Sequence, residues 1–395
     1  MKKDLSALLC ASLIFLCSCG TTGTRDVVPE FEEIVIDAKH QIALSLDSII
    51  KKVQFVKLET TDNNIIGRIS QILFTDSLII VADNESSMSI YVFDKTGKYK
   101  YPIGRIGQGP GEYIDIYNIC IESLKNNLAV FDNSQNKVLF YTLDGRYDYS
   151  ENTPFMLRYF EYLDNGCKAY YITGLPDPTL GRFKNKLLIV TDSSNNILYG
   201  DCVDFYKSNQ FQTVMIRPLR TFNSEVYFSP NFSNDIYLVT DSMVIPKYHI
   251  NIVWNGMPPL NDQITTELFD EYRKRNYFFN GDFIELQDLT YLNIATPRGY
   301  PFVVYSHANK QTFFSTEQGS HPLFPFLKNQ EPIARFGENT VVFAVSAFHL
   351  MLNKEEWYKH EPDRQFLEDL YGGLTEESNP VLVFCELNEN IGNEK

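Results

Sequence analysis

The chain has 395 residues, 44% of them hydrophobic and 14% aromatic, and its 35 Lys and Arg stand against 50 Asp and Glu for a formal net charge of −15. So acidic a surface lacks the basic footprint that phosphate backbones demand, which excludes nucleic acid as a partner and favours neutral or cationic ones. Seven cysteines without a CxxC or Cys/His cluster argue against a zinc site.

In chain order, Met1-Lys2-Lys3 and an apolar run from Leu5 to Leu16 form a secretory signal too short to span a bilayer permanently. It ends in Leu16-Cys17-Ser18-Cys19-Gly20, with Leu16 at −3 and small Ser18 at −1 of Cys19, the pattern of a residue to be lipidated. Cys17 is a poorer candidate because bulky Leu16 precedes it. Processing there gives a signal peptide at 1–18, a polar tether at 19–33 and one domain at 34–390. The expected product is held at the outer membrane, on its periplasmic or surface face, by acyl chains alone. Cys120, Cys167, Cys202 and Cys385 remain, each in or beside a strand-like run, and read as buried free thiols.

Glu33 to Asp37 and Val53 to Leu58 are short strand-like runs, one of which is expected to close the last unit of a ring. Two similar units follow. The first runs from Gly67 to Phe74, then Asp76-Ser-Leu-Ile-Ile-Val-Ala-Asp83-Asn84, then Ser89 to Tyr99. The second runs from Tyr113 to Glu122, then Asn127-Leu-Ala-Val-Phe-Asp132-Asn133, then Lys137 to Tyr147. Asp83 to Asp132 is 49 residues and Gly97 to Gly145 is 48, the repeat length of propeller blades built from short strands. Phe155 to Leu163, Lys168 to Thr173, Lys186 to Thr191 and Ile197 to Val203 make a third. Thr221 to Ser229, Asp235 to Thr240 and Lys247 to Trp254 make most of a fourth. Phe283 to Ala295, Pro301 to Ser306 and Gln311 to Ser315 suggest a fifth, and Pro332 to Gly337, Thr340 to Phe348 and Val381 to Glu386 a sixth. Asn261 to Arg275 and Lys354 to Leu370 have helical spacing and read as insertions padding the late blades. Length leaves room for six blades, the tail and the insertions, but not for seven.

The chain resembles the six-bladed β-propeller lipoproteins of Gram-negative bacteria, related in fold to NHL and TolB-type propellers. The resemblance rests on Cys19, on Val56-Lys-Leu-Glu-Thr60 followed by Gly67-Arg68-Ile-Ser70, and above all on Gly107-Gln-Gly-Pro-Gly-Glu-Tyr113. It implies a monomeric binding scaffold at the cell envelope, with a glycan, a peptide or an envelope protein as partner.

In a propeller, the crossovers between blades share a face with the loops joining second to third strands. That geometry gathers Arg68, Asp83, Asn84, Arg105, Gln108, Glu112, Tyr113 and Asp132 as candidate ligand-binding residues. Glycines 107, 109 and 111 open backbone conformations and amide N–H groups to a carboxylate or to sugar hydroxyls. The competing reading makes the loop a tight connector in which Glu112 pairs with Arg105. No catalytic residues are expected: no HExxH, nucleophile elbow or phosphate loop is present. The alternative is a polysaccharide hydrolase or lyase using carboxylates of this face. No cofactor is expected. Asp83, Asp132, Asn84 and Asn133 offer Ca²⁺ hard oxygens, but Asp-Asn after a strand is ordinary turn chemistry, the preferred reading.

Overall fold

The computed structural model describes residues 30–172, 177–203, 217–230, 233–253, 266–315, 330–360 and 363–392. The chain starts with β1 (Glu32–Asp37), β2 (Ile42–Leu44), a single turn α1 (Leu46–Ile49) and β3 (Ile50–Lys57). Blade I is β4 (Gln71–Phe74), β5 (Leu78–Asp83), β6 (Ser89–Asp94) and β7 (Tyr99–Ile103). Blade II is β8 (Asn118–Ile121), β9 (Leu128–Asp132), β10 (Lys137–Tyr141) and β11 (Tyr147–Asn152). Blade III is β12 (Tyr159–Tyr162), β13 (Lys168–Tyr171), β14 (Lys186–Thr191) and β15 (Ile197–Val203). Blade IV is β16 (Leu219–Phe222), β17 (Glu225–Phe228), β18 (Asp235–Val239) and β19 (Val244–Val253). Blade V follows α2 (Thr266–Arg275) and comprises β20 (Phe278–Glu285), β21 (Leu289–Ala295), β22 (Val303–Ser306) and β23 (Gln311–Ser315). Blade VI comprises β24 (Ala334–Phe336), β25 (Thr340–Val345), β26 (Val381–Leu387) and β3. Three helices, α3 (Ala347–Leu352), α4 (Lys354–His360) and α5 (Arg364–Tyr371), lie between β25 and β26.

Each blade is an antiparallel meander, and the six together make a six-bladed β-propeller. Strand position explains composition. The second strand of each blade is sandwiched between neighbouring blades, so β5 (LIIVAD) and β9 (LAVFD) are almost wholly apolar and buried. The outer strand β11 (YDYSEN) is mostly exposed and accordingly polar.

The amino-terminal segment spans the edges of three blades. β1 adds a parallel fifth strand to blade IV, β2 does the same to blade V, and β3 pairs antiparallel with β26. The run from Val53 therefore closes the ring, pairing the two ends of the described chain and hiding sheet edges that would otherwise be bare.

Three expected runs divide differently. Phe283 to Ala295 is the end of β20, a turn and β21 rather than one strand. Thr221 to Ser229 is a hairpin rather than one strand, because Asn223 and Ser224 both adopt positive φ (47° and 66°) in its two-residue turn. Thr340 to Phe348 stops at Val345, since Ser346 accepts the His349 N–H and caps α3. Of the predicted helix at 261–275, the described part is α2, and residues 261–265 lie outside the described chain. The helices in blade VI pack as padding: Phe55 of β3 meets Phe366 at 4.8 Å and Trp357 at 6.0 Å. Lys57 Nζ donates to the carbonyls of Asp369 and Gly372 at the end of α5. None of the described helices is long and apolar enough to cross a membrane. Cys120, Cys167 and Cys385 are buried free thiols; the Cys202 side chain lies outside the description.

Candidate functional site

The crossover face is built by carboxylates that bind backbone. Asp83, fully buried at the end of β5, accepts the N–H groups of Gly67, Arg68, Glu85, Ser86 and Ser87 and the Ser87 hydroxyl. It thus ties the crossover into blade I to that blade's own second-to-third-strand loop. Burial pushes its carboxyl up, but the N–H groups of Ser86, Gly67, Ser87 and Glu85 overcome this and hold it below the usual range. Asp132 does the same work in blade II, accepting from the Ile114 N–H at 2.6 Å and from both nitrogens of Gln135. In blade I, Asn84 is half-buried next to Asp83, and Arg68 makes an exposed ion pair with Glu85 at 3.0 Å.

The Gly107–Tyr113 loop closes on itself. Glu112 pairs with Arg105 Nη2 at 2.6 Å and accepts the Gly109 N–H at 2.9 Å. Tyr113 is fully buried, with its hydroxyl on the Ile103 carbonyl. Positive φ belongs to Gly104 (63°) and Gly111 (72°), not to 107 or 109. At Gly104 a Cβ would stand 2.6 Å from the Tyr113 ring. Seven of the eight candidate residues therefore fall into two groups, with the exposed Gln108 side chain in neither. Arg68, Asp83 and Asn84 surround one buried carboxylate; Arg105, Glu112, Tyr113 and Asp132 are joined through Gln135, which also donates to the Glu112 carbonyl. Among the described residues no hydrogen bond joins the groups. Arg105 and Gln108 are exposed.

Among the described residues, a space for a ligand lies along the axis. The inner strands enclose a cavity of about 500 Å³ whose lining includes Gln71, Cys120, Glu161, Arg217, Arg220 and Arg335. Side chains stitch these strands together. Gln71 Oε1 accepts the Ile119 N–H, Asn118 Oδ1 accepts the Phe160 N–H, and Thr221 donates to Glu161. Arg220 forms an ion pair with Asp282, and Arg335 donates to the Glu285 carbonyl. Asp282 reaches its partner because β20 carries a bulge: Asn280 to Asp282 stand between Phe279, paired with Ile294, and Phe283, paired with Leu292. Gly281 at φ 91° permits that turn.

The charges here are strongly perturbed. Burial pushes the Glu161 carboxyl up to about 8 against the opposing pull of Thr221, Arg217 and Arg220. Burial, with Arg220 beside it, brings Arg217 down to about 10. Glu331 is raised by burial and by repulsion from Asp282. The fully buried Asn293 lies beside Glu331 without reaching ordinary hydrogen-bond geometry. A carboxyl raised by folding loses stability as pH climbs from its unfolded value of about 4.3 to its folded value. Glu161→Gln should therefore flatten the fall in stability between about pH 5 and 8, read by denaturant titration across that range. An unchanged pH profile would contradict the raised Glu161 carboxyl.

Sequence reasoning passed over Glu161, Arg217, Arg220, Asp282 and Glu331. One signal was present: Asn280-Gly-Asp282 interrupts an apolar strand, and strand breakers there mark bulges that re-aim side chains.

A crystal structure of a Bacteroides fragilis protein described as exported matches with a TM-score of 0.73 at 21% identity, covering 90% of this chain and 100% of that one. A member of the DUF4221 family from Bacteroides vulgatus matches with a TM-score of 0.50 at 11% identity, over 86% of this chain and 97% of the other. At these identities both likenesses speak for the fold alone. None of the curated proteins matches the chain. The family profile covers residues 31–386, and on that match the chain belongs to the DUF4934 family, a domain of unknown function.

Proposed function

We propose that this propeller is an exported binding protein, anchored at the cell envelope through Cys19, that seats part of a glycan, a peptide or a partner protein in its axial cavity. The observation that carries this reading is a cavity of about 500 Å³, in the range of small-ligand sites, lined by arginines whose charges the fold only partly matches. Its lining comes from the inner strands of all six blades and the residues flanking them, and includes none of the crossover-face candidates. The similar Bacteroides fragilis protein, described as exported, supports the address. Monomeric action without a cofactor, and kinship with NHL and TolB-type propellers, belong to the same reading.

A thermal-shift screen with oligosaccharides and peptides tests it, since a ligand that binds only the folded state raises its midpoint by mass action. A shift retained in Arg105→Ala but lost in Arg217→Ala supports the cavity; the reverse contradicts it. Cys19→Ala should move the protein from the membrane fraction to the soluble one, and unchanged partitioning would remove the lipid anchor. The second reading, a polysaccharide hydrolase or lyase, draws support from the Asp282–Glu331 pair, two neighbouring carboxyls of which one is raised. Substrate cleavage lost in Asp282→Asn would favour it.

A further inference from the structure

We infer that the axial cavity is built for a ligand carrying a single carboxylate, bound by Arg217 and Arg220. The inference rests on the cavity being the binding site and adds the chemistry of what it takes. A charge count around the cavity leads there. Arg220 gives one terminal nitrogen to Asp282 and leaves its buried Nε without a partner. Glu161 is anchored by the Thr221 hydroxyl and, largely protonated at neutral pH, supplies little compensating charge. Arg217 lines the same cavity and, among the described residues, has neither an ion pair nor a hydrogen bond. Two guanidinium groups thus repel one another, and Asp282 is the one carboxylate in an ion pair with either among the described residues.

A desolvated, unmatched cation is costly to fold around, and its retention is understandable if a ligand supplies the counter-charge. A planar guanidinium with free N–H groups matches a carboxylate in a bidentate grip. Asp282, ion-paired with Arg220, already supplies one negative charge there, so a monoanion suits the pair of arginines better than a dianionic phosphate or sulfate. Ser123, Asp164, Thr221 and Ser224 add polar groups to the cavity lining, so a ligand body with hydroxyls or amides is favoured over an apolar one.

Matched probes separate the charge from the body. Isothermal titration of the full-length chain is run with glucuronate against its methyl ester, with N-acetyl-Ala-Ala against its C-terminal amide, and with inorganic sulfate. The expected result is binding by at least one acid, at least tenfold weaker for its neutral counterpart, and none for sulfate; which acid binds tells an acidic sugar from a peptide terminus. Arg217→Ala should lose that binding at least tenfold while the thermal midpoint of the free protein holds or rises, and Arg217→Lys should recover part of it. A fall in the free midpoint with Arg217→Ala would show a structural arginine and overturn the inference. Neutral probes that bind as well as the acids, with Arg217 still required, overturn the carboxylate and leave the cavity reading standing. No binding by any probe overturns both.

Discussion

Removal of residues 1–57 is expected to abolish the monomeric native state. β3 lies along β26 from Val381 opposite Lys57 to Leu387 opposite Ile50, so without it the last blade keeps three strands and a bare edge. The loss extends to the core. Ile34, Ile36, Leu46, Ile49 and Ile50 are all buried in the cluster shared by blades IV to VI. At roughly 2 kcal/mol per buried aliphatic side chain, their removal costs on the order of 10 kcal/mol, comparable with the entire net stability of a domain. Size-exclusion chromatography and near-ultraviolet circular dichroism of the truncated chain should show aggregation and lost tertiary packing. A monomer that still unfolds cooperatively would mean that six blades close without the amino-terminal segment.

Asp83→Ala should be the most damaging single substitution on the crossover face. It removes the one buried carboxylate on which five backbone N–H groups converge in part-buried hydrogen bonds. Leaving such a set unpaired costs about 3–5 kcal/mol, as for breaking a buried charged network. Asp83→Asn should be nearly as harmful, because its amide NH₂ would face donors rather than acceptors. The pH dependence has a definite sign. Folding lowers the Asp83 pKa, so its contribution is complete above the unfolded value of about 3.9 and disappears as pH falls through the lower folded value. Denaturant titrations of the variant should show lower stability at pH 7 and a flatter acid limb. A loss under about 1 kcal/mol would mean the N–H groups find other partners.

The ring was legible because its markers are local. Gly97 and Gly145, one repeat apart, both occupy positive φ (87° and 88°) in hairpins between third and fourth strands. Asp83 and Asp132 recur because blades I and II each fasten the incoming crossover with a buried acceptor. The eight-residue candidate site was legible only in part. Glu112 does meet Arg105, as the connector reading anticipated, and the crossover loop does share its face with Asp132. The axial charges were not legible because their neighbours come from different blades: Glu161 finds Thr221, and Arg220 finds Asp282, only once the ring has closed. Periodicity predicts which strands are innermost, but not which of their residues meet across the axis.

The most direct test of the axial cavity as the ligand's seat is hydrogen exchange of the protein with and without a ligand found by thermal shift. Bound ligand should slow exchange in the inner strands β12, β16 and β20, around Glu161, Arg220 and Asp282, and leave Arg105 to Tyr113 unchanged. Protection confined to Arg105 to Tyr113, with the inner strands unaffected, would contradict the account and return the site to the loop.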